Sequence, residues 1–314
     1  MNILIFGGCG YIGTVLVKEL IENPKIKITV FDTQWFGNYL KKKKNLKIIK
    51  GDIRKLDKLS FKNFDQIIHL ANIPNDLSVD LNPILSWETN VLTSKFIVEK
   101  AIKNKVKSII FLSSGSVYGT RKEKKITEDI ELTPISTYNK TKIIAERVFL
   151  SYKNKIKIFC IRPATVCGLS PRMRLDVSVN MLTFHALKKK EIKVFGGKQI
   201  RPNIHIKDLV RTIEHFMFKK NIEPGIYNAG FENMSIIKLA KKIIKIVPAK
   251  IKITKSNDVR SYSLDSTKLL KSGFKPLFSV DDAINEIKES FARKKNFFSK
   301  KTLSVKWLKK IVKK

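Results

Sequence analysis

The chain has little cysteine and no long apolar run. Only three of its 314 residues are cysteine. Cys9, Cys160 and Cys167 have no metal-ligand spacing, so we expect neither a disulfide framework nor a metal site. No stretch of about 18 apolar residues occurs, which argues against a membrane-spanning helix. The opening stretch MNILIFGGCGYIG carries glycines where a signal peptide has its apolar centre, so we predict a cytoplasmic protein without a targeting segment.

Acidic residues are also scarce. Asp and Glu number 27 against 63 Lys and Arg, which gives a net charge of +36. A charge of this size is typical of proteins that bind nucleic acid or an anionic membrane. The lysines are spread over every segment, however, and no nucleic-acid-binding motif with interleaved aromatic residues accompanies them. We therefore predict no nucleic-acid partner, and we expect the positive field to help capture an anionic substrate.

Short apolar runs alternate with helical patterns in the first half of the chain. The strand-like runs are NILIFGG, KITVFDT, LKIIKGDI, FDQIIHLA, KSIIFLSS and KIKIFCIRPATV. Helical stretches between them include SWETNVLTSKFIVEKAIKNK and TYNKTKIIAERVFLSYKN. This alternation predicts parallel βαβ units, and continuous apolar strands are typical of sheets covered on both faces. We therefore expect an α/β fold, with a Rossmann-type doubly wound parallel sheet over residues 1–165.

The pattern loosens in the second half. Shorter strands and helices follow one another there, which predicts a smaller C-terminal α/β substrate-binding lobe over residues 166–314. The last stretch, RKKNFFSKKTLSVKWLKKIVKK, is basic and has apolar residues at uneven spacing. It is consistent with a helix on a membrane surface or with a helix packed on its own protein, and we favour the second.

A glycine-rich turn follows the first strand. FGGCGYIG places Gly7, Gly10 and Gly13 between that strand and the first helix, which is the context of a dinucleotide-binding motif. Glycine permits the tight turn and the close approach of the backbone to a pyrophosphate. The helix N-terminus then offers free N–H groups to the anion. The turn therefore predicts a dinucleotide cofactor.

An acidic residue ends the second strand. Asp32 lies about 20 residues beyond the glycines, where a carboxylate accepts hydrogen bonds from the adenosine ribose. It would repel a 2′-phosphate, and the following Thr33 and Gln34 supply no arginine to hold one, so we predict NAD. Asp52 and Ile53 come after the third strand and are candidates to flank the adenine. Asp52 is equally consistent with an ordinary turn residue.

A serine cluster and a tyrosine–lysine pair carry the predicted chemistry. FLSSGSVYG brings Ser114 and Ser116 to the carboxyl end of a strand, where ligands bind in open parallel sheets. Tyr138 and Lys142 follow one helical turn apart and share a helix face. A nearby ammonium and a cationic nicotinamide both lower the pKa of tyrosine from about 10. We predict that Tyr138 accepts a proton from a substrate hydroxyl, with Lys142 and Ser114 as its catalytic partners.

Further strings occur in order along nearly the whole chain. They are GDI at 51–53, HLA at 69–71, ETN at 88–90, IRPATVCG, RPNIHIKD, YNAG and DVRSYSLD. With the motifs above, the set resembles the extended short-chain dehydrogenase/reductases of the NAD-dependent epimerase/dehydratase family, which act on nucleotide sugars. The resemblance implies a catalytic set of Ser114, Tyr138 and Lys142. It also implies NAD as cofactor and a nucleotide sugar as substrate.

The resemblance extends the predicted binding sites. It adds cofactor contacts at Tyr11, Ile12, Leu70, Ala71 and Asn90, besides Tyr138 and Lys142. It implies a nucleotide-sugar pocket formed by Ser114, Ser116, Thr165, Arg172, Arg174, Asn180, Arg201 and Arg260. Arg201 and Arg260 match arginines that grip the substrate diphosphate, a role that suits the planar guanidinium. We expect His205 and Asp208 to be structural.

The chain also departs from the family at informative places. Gly115 and Ser116 stand where the dehydratases carry an Asp-Glu pair, so we do not expect dehydration. Thr165 stands where galactose-type epimerases usually have asparagine, which weakens a specific assignment to UDP-glucose. We therefore predict an NAD-dependent nucleotide-sugar 4-epimerase that oxidises C4 transiently to a 4-keto sugar.

Other functions stay open at this point. The first alternative is a 4-keto-sugar reductase or a sugar dehydrogenase on the same scaffold. A remote one is a non-catalytic dinucleotide sensor or a nucleic-acid-binding relative, although such a protein would be expected to lose Tyr138 or Lys142. The family also commonly forms homodimers through two helices per subunit, which here correspond to residues 88–104 and 138–152. Supply of surface-polysaccharide precursors is the pathway that the resemblance implies.

Overall fold

The computed structural model describes residues 1–120, 123, 125–255, 261–293 and 299–312. Its strands are β1 (Asn2–Phe6), β2 (Lys27–Asp32), β3 (Leu46–Lys50), β4 (Gln66–His69), β5 (Ser108–Leu112), β6 (Lys157–Pro163), β7 (Thr165–Cys167), β8 (Glu191–Phe195), β9 (Ile200–His205), β10 (Gly225–Ala229), β11 (Glu232–Ser235) and β12 (Lys250–Thr254).

Helices connect these strands. They are α1 (Tyr11–Leu20), α2 (Asp76–Val79), α3 (Pro83–Trp87), α4 (Thr93–Lys103), α5 (Thr137–Leu150), α6 (Ser178–Lys189), α7 (Ile206–Phe218), α8 (Ile236–Ile246), α9 (Thr267–Lys271), α10 (Val280–Ala292) and α11 (Ser304–Val312). A π-helical turn, Glu88–Leu92, joins α3 to α4, and 3₁₀ turns lie at Gly115–Tyr118 and Lys300–Thr302.

The main sheet has seven parallel strands in the order β10-β6-β5-β4-β1-β2-β3. Ile3, Leu4, Ile5 and Phe6 of β1 are all fully buried, because helices cover both faces of the sheet. The predicted Rossmann-type α/β fold is therefore confirmed. The direction of winding reverses between β1 and β4, and ligands of such sheets bind in the crevice at that point.

The predicted boundary at residue 165 needs a correction. The chain leaves the main sheet after β6, but it returns to add β10 beside β6 in parallel register. Helix α7 also packs against α1 of the first half. Residues 206–229 therefore belong structurally to the large lobe, although they follow strands of the small one.

The small lobe combines two minor sheets with three helices. One sheet has the order β11-β9-β7, and the other pairs β12 with β8. Helices α6, α8 and α10 pack on one another and bury an apolar cluster beneath them. Cys167 is part of that cluster and is fully buried, as expected of a small apolar residue, and all three cysteines are free.

The basic C-terminal stretch packs on its own protein where the structure describes it. Trp307 of α11 donates a 2.6 Å hydrogen bond to the carbonyl of Trp35, and Leu308 is 1% exposed. The N–H group of Leu175 donates to the carbonyl of Thr302 at 2.9 Å. The segment 299–312 thereby joins the loop after β2 to the loop after β7. None of the described helices has the length and apolar character needed to cross a membrane.

Candidate active site

A cleft of about 340 Å³ lies at the winding reversal of the main sheet. Its walls include the glycine turn after β1, the ends of β2, β4 and β5, the start of α5 and the loop after β7. Most of the predicted cofactor residues meet here, namely Gly7, Gly10, Tyr11, Ile12, Gly13, Asp32, Asp52, Ile53, Leu70, Ala71 and Tyr138. The cleft has the size of a small-molecule site.

The glycine turn needs its glycines. Gly7 has a φ of +79°, and a Cβ atom there would stand 2.6 Å from the backbone nitrogen of Ala71. A Cβ atom on Gly13 would stand 2.4 Å from the carbonyl oxygen of Gly7. Gly10 caps α1 without a side chain, so the first N–H groups of that helix stay available to an anion. The glycines thus leave an open cradle at this turn, and the side chain of any larger residue would fill it.

Asp32 and Asp52 differ in the hydrogen-bond and ion-pair partners of their carboxylates. Asp32 accepts the N–H groups of Cys9 at 3.0 Å and Gln34 at 2.6 Å, and burial raises its pKa. Asp52 is bound at 2.7 Å by Arg54, which also reaches Glu88. Burial raises the pKa of Asp52, but the hydrogen bonds from Arg54 outweigh it and lower the pKa. Asp32 therefore fits the ribose role, whereas Asp52 is committed to Arg54.

Asn90 supports the cleft from behind and does not line it. Its side-chain oxygen accepts the N–H of Ile73 at 2.7 Å, and its amide nitrogen donates to the carbonyl of Ile73 at 3.2 Å. Asn90 is 2% exposed. The predicted cofactor contact at Asn90 is therefore corrected to a role in holding the loop after β4.

Ser114 stands at the end of β5 with its hydroxyl fixed by neighbours. It caps the 3₁₀ turn by accepting the N–H of Ser116, and the two hydroxyl oxygens lie 2.8 Å apart. Asn139 donates to the Ser116 hydroxyl at 2.8 Å. Ser116 itself does not line the cleft. Its hydroxyl contacts that of Ser114, and its predicted contact with substrate stays a prediction.

Tyr138 and Lys142 share the inner face of α5, which begins at the cap residue Ser136. Burial raises the pKa of Tyr138 above its usual value, and the neighbouring polar side chains of Asn72 and Ser114 and the charge of Arg174 offset this only in part. Lys142 is 2% exposed and donates to the carbonyl of Leu112 at 2.7 Å. Burial lowers the pKa of Lys142 to about 7. Tyr138 lines the cleft, whereas Lys142 lies behind its wall with the ammonium group held by the main sheet, and the predicted roles of the pair stay predictions.

Arg172 is a buried cation with unused donors. It is 4% exposed, and its guanidinium lies 3.8 Å from the ring centroid of Phe36. One terminal nitrogen donates to Ser304 at 3.1 Å, but Nε and Nη1 have no partner among the described residues. Burial, and then the charge of Arg174, lower the pKa of Arg172 to about 9. Arg172 also acts electrostatically on Asp32, so it belongs to the adenosine end of the cleft.

The charge of Arg174 acts on Tyr138. Arg174 pairs with Asp176 at 2.9 Å, and its charge is one of the influences on the pKa of Tyr138. Burial lowers the pKa of Arg174, but the charge and hydrogen bond of Asp176 outweigh this and raise it. Both arginines of this loop line the cleft, and the charge of Arg172 acts on Asp32 whereas that of Arg174 acts on Tyr138.

The remaining predicted substrate residues differ in whether they line the cleft. Thr165 lines the cleft. Asn180 is fully buried and binds Tyr11, Gly168 and the carbonyl of Arg174, so it is corrected to a structural residue. Arg201 lies on β9, does not line the cleft and donates to the carbonyl of Ile200 at 3.1 Å. Arg260 lies outside the described residues.

His205 and Asp208 have structural partners, as the sequence predicted. Nδ1 of His205 accepts the N–H of Lys207 at 3.2 Å, and Nε2 faces Glu286 at 3.3 Å. Asp208 accepts two backbone N–H groups, of Leu277 at 3.0 Å and Phe278 at 2.8 Å.

Several residues of the cleft wall are not among the predicted ones, and they include Trp35, Phe36, Asn72 and Asn75. Asn72 follows directly after the HLA string at the end of β4. A polar residue at that edge of a parallel sheet was a usable signal, because ligands bind there. Trp35 and Phe36 gave no signal, since their place depends on contacts with α11 and Arg172, far away in the chain.

Comparison with known proteins agrees with this geometry. The model of the NAD dependent epimerase/dehydratase family matches residues 3–230. The chain belongs to this family. An NAD-dependent enzyme is therefore confirmed, and the glycine cradle and Asp32 are features that fit the dinucleotide.

Individual relatives point the same way. An uncharacterized UDP-glucose epimerase of Bacillus subtilis is 31% identical over 259 residues, which cover 77% of this chain and 81% of the relative. The crystal structure of a UDP-glucose 4-epimerase from Thermotoga maritima with UDP-glucose has a TM-score of 0.83 at 27% identity, covering 94% of this chain and 99% of that one. A UDP-glucuronic acid 4-epimerase from Bacillus cereus, bound to UDP-glucuronic acid and NAD, has a TM-score of 0.80 at 26% identity, covering 92% of this chain and 99% of that one.

Proposed function

We propose that the protein is a nucleotide-sugar 4-epimerase that oxidises and reduces C4 of its substrate in turn. One observation carries the proposal. The phenol of Tyr138, with Ser114 beside it, lies in the same cleft as the glycine cradle and Asp32. A proton acceptor and a dinucleotide site that share one cleft are what oxidation of a secondary alcohol requires.

Tyr138 and Ser114 would have different roles in the proton transfer. Tyr138, as phenolate, accepts the proton of the C4 hydroxyl. Ser114 holds the same oxygen and keeps it in line with the phenol. NAD, when bound, supplies the acceptor and later the donor of the C4 hydride. After the 4-keto sugar has rotated in the cleft, so that its other face meets the hydride, Tyr138 returns the proton to the C4 oxygen.

The walls of the cleft support retention of the cofactor through the cycle. The loop carrying Arg172 lies over the adenosine end, and the segment 299–312 ties this loop to the one after β2. A cofactor held in this way suits an epimerase, which regenerates it in each turnover. A dehydrogenase or ketoreductase must instead exchange it.

The two loop arginines would serve different ligands. We assign Arg172 to a phosphate of the dinucleotide instead of the nucleotide-sugar pocket that the sequence predicted, because its charge acts on Asp32 and two of its nitrogens have no partner among the described residues. We assign Arg174 to the nucleotide-sugar side, because its charge acts on Tyr138. A guanidinium suits both roles through its planar set of donors.

A homodimer is part of the same proposal. Leu92 and Phe96 lie one helical turn apart and are 57% and 63% exposed, and Ile144 of the adjacent α5 is 37% exposed. Apolar side chains of this size on neighbouring helices fit a symmetric four-helix contact between two copies.

The test of the proposed function uses nucleotide sugars labelled with deuterium at C4. The purified protein is incubated with each of a panel, without added cofactor. We expect interconversion of C4 epimers with the deuterium kept at C4. Conversion that requires stoichiometric NAD or NADH would instead identify a dehydrogenase or a 4-keto-sugar reductase. Loss of the label to solvent would contradict hydride transfer at C4.

A further inference from the structure

A chain of hydrogen bonds leads from α5 to a serine of the cleft wall. Asn139 follows Tyr138 directly and is 3% exposed. Its side-chain nitrogen donates to the hydroxyl of Ser116 at 2.8 Å, and that hydroxyl lies 2.8 Å from the hydroxyl of Ser114. Ser114 lines the cleft, whereas Asn139 and Ser116 do not. A buried side chain next to the predicted base is thus connected to the predicted catalytic serine.

The turn that follows Ser114 is fixed to α5 at its other end as well. Tyr118, the last residue of the 3₁₀ turn, is fully buried and accepts a hydrogen bond from Arg162 at 2.8 Å. Arg162 forms a buried ion pair at 2.7 Å with Glu146, which lies on α5. The contact made by Asn139 therefore joins two elements whose separation is also set at a second point.

The donor groups of this chain determine the direction of its hydrogen bonds. A carboxamide nitrogen only donates, and a hydroxyl can accept twice but donates once. Asn139 donates to Ser116, so the single hydroxyl hydrogen of Ser116 is available to Ser114, whose oxygen also accepts the backbone N–H of Ser116 at 3.2 Å. In the opposite direction, the hydroxyl hydrogen of Ser116 has no acceptor among the described residues. The first direction pairs more of the polar groups and is favoured for that reason.

This direction leaves the hydroxyl hydrogen of Ser114 for the cleft. Negative charge develops on the C4 oxygen of the sugar as its proton leaves, and a donor aimed at that oxygen stabilises the charge. With its hydroxyl turned the other way, Ser114 would present only lone pairs to the sugar and would compete with Tyr138 for the proton. The direction of the chain therefore bears on which side chain takes the proton.

We propose that Asn139 is a positioning residue that acts through Ser116 and keeps the hydroxyl of Ser114 pointed into the cleft as a hydrogen-bond donor. The inference rests on the proposed function, because it assigns this donor to the C4 oxygen. The proton of the C4 hydroxyl goes to the phenolate of Tyr138 and the C4 hydride goes to NAD, while Ser114 keeps its own proton.

The first test reverses the direction of the chain at its origin. Asn139→Asp replaces the donating amide by a carboxylate of nearly the same size, which only accepts hydrogen bonds. The hydroxyl hydrogen of Ser116 is then drawn to the carboxylate, and Ser114 loses its donor. We expect kcat for C4 epimerisation to fall about 10- to 100-fold with little change in KM, the order expected for a lost hydrogen bond to a developing charge.

A double-mutant cycle separates this effect from that of the new negative charge. Ser116→Ala interrupts the chain, so in this background Asn139→Asp adds the charge without a route to Ser114. We expect it to lower kcat there by less than about threefold. Asn285→Asp, at an exposed position of α10, should leave kcat unchanged. Equal losses in the two backgrounds, or a wild-type kcat in Asn139→Asp, overturn the role of Asn139.

Neutron diffraction from crystals of the perdeuterated holoenzyme shows the direction without a variant and without turnover. We expect the hydroxyl deuteron of Ser116 to lie between the two serine oxygens and that of Ser114 to point into the cleft. A deuteron of Ser114 that points to Ser116 overturns the inference, whatever the protein catalyses. The expected direction in a protein that interconverts no C4 epimers would contradict the proposed function alone.

Discussion

The buried ammonium group of Lys142 donates a 2.7 Å hydrogen bond to the backbone carbonyl of Leu112. Leu112 is the last residue of β5, so the lysine is anchored to the sheet edge that also presents Ser114. Burial lowers the pKa of Lys142 to about 7, and the charge of Glu146, one turn further along α5, opposes this effect. The charge of the lysine is therefore sensitive to pH near neutrality.

The first prediction concerns that charge. Lys142 loses its proton as the pH rises through about 7, so kcat/KM of the wild type should fall on that side of the profile. Glu146→Gln removes a negative charge that raises the pKa of Lys142. The falling limb should therefore move to lower pH in this variant.

The Glu146→Gln variant needs a control for stability, because Glu146 also forms an ion pair. Glu146 pairs with Arg162 at 2.7 Å, and both side chains are buried. Breaking this pair should also cost about 3 kcal/mol of stability, so the profile is measured well below the unfolding temperature. Glu289→Gln, which changes an exposed carboxylate of α10, should alter neither the pH profile nor the stability. A falling limb that stays in place in folded Glu146→Gln contradicts the prediction.

The second prediction separates the two loop arginines. Arg172→Met should weaken the binding of NAD by tenfold or more, because it removes charged donors to a phosphate. Arg174→Met should instead raise KM for the nucleotide sugar and leave the NAD content of the purified protein close to that of the wild type. Calorimetric titration with NAD and steady-state kinetics measure the two effects. Equal loss of NAD from both variants would refute the assignment.

The third prediction concerns the exposed apolar face of α4 and α5. Phe96→Glu places a charge at the centre of the proposed contact, so the variant should elute with the mass of a monomer where the wild type is a dimer. Multi-angle light scattering measures the masses. Leu277→Glu, at another exposed apolar position, should leave the mass unchanged. A monomeric wild type would dispose of the proposed dimer.

Local patterns in the sequence were sufficient for much of the fold and for the cofactor turn. The glycines at 7, 10 and 13 and the acid at 32 act through backbone geometry and strand ends, both of which follow from short-range sequence. The pairing of β10 with β6 could not be predicted in this way, because it joins residues that are distant in the chain and that are separated by the small lobe.

The role of a side chain was harder to predict where its hydrogen-bond partners are distant in the sequence. Asn180 and Asn90 were assigned to ligands, and the structure commits both to buried hydrogen bonds. Their partners, Tyr11 and Ile73, belong to other elements, and no spacing rule connects them. Asn72 differs from them, because its position directly after β4 was a usable signal for a residue of the cleft wall.

The central claim is that the phenol of Tyr138 carries the C4 proton in the cofactor cleft. The most direct measurement is the rate of C4 epimerisation by Tyr138→Phe, purified with its NAD content verified. We predict a loss of about 10² to 10⁴-fold in kcat with cofactor binding retained, because only the proton acceptor is removed. A Tyr138→Phe enzyme that epimerises C4 at the rate of the wild type would contradict the account.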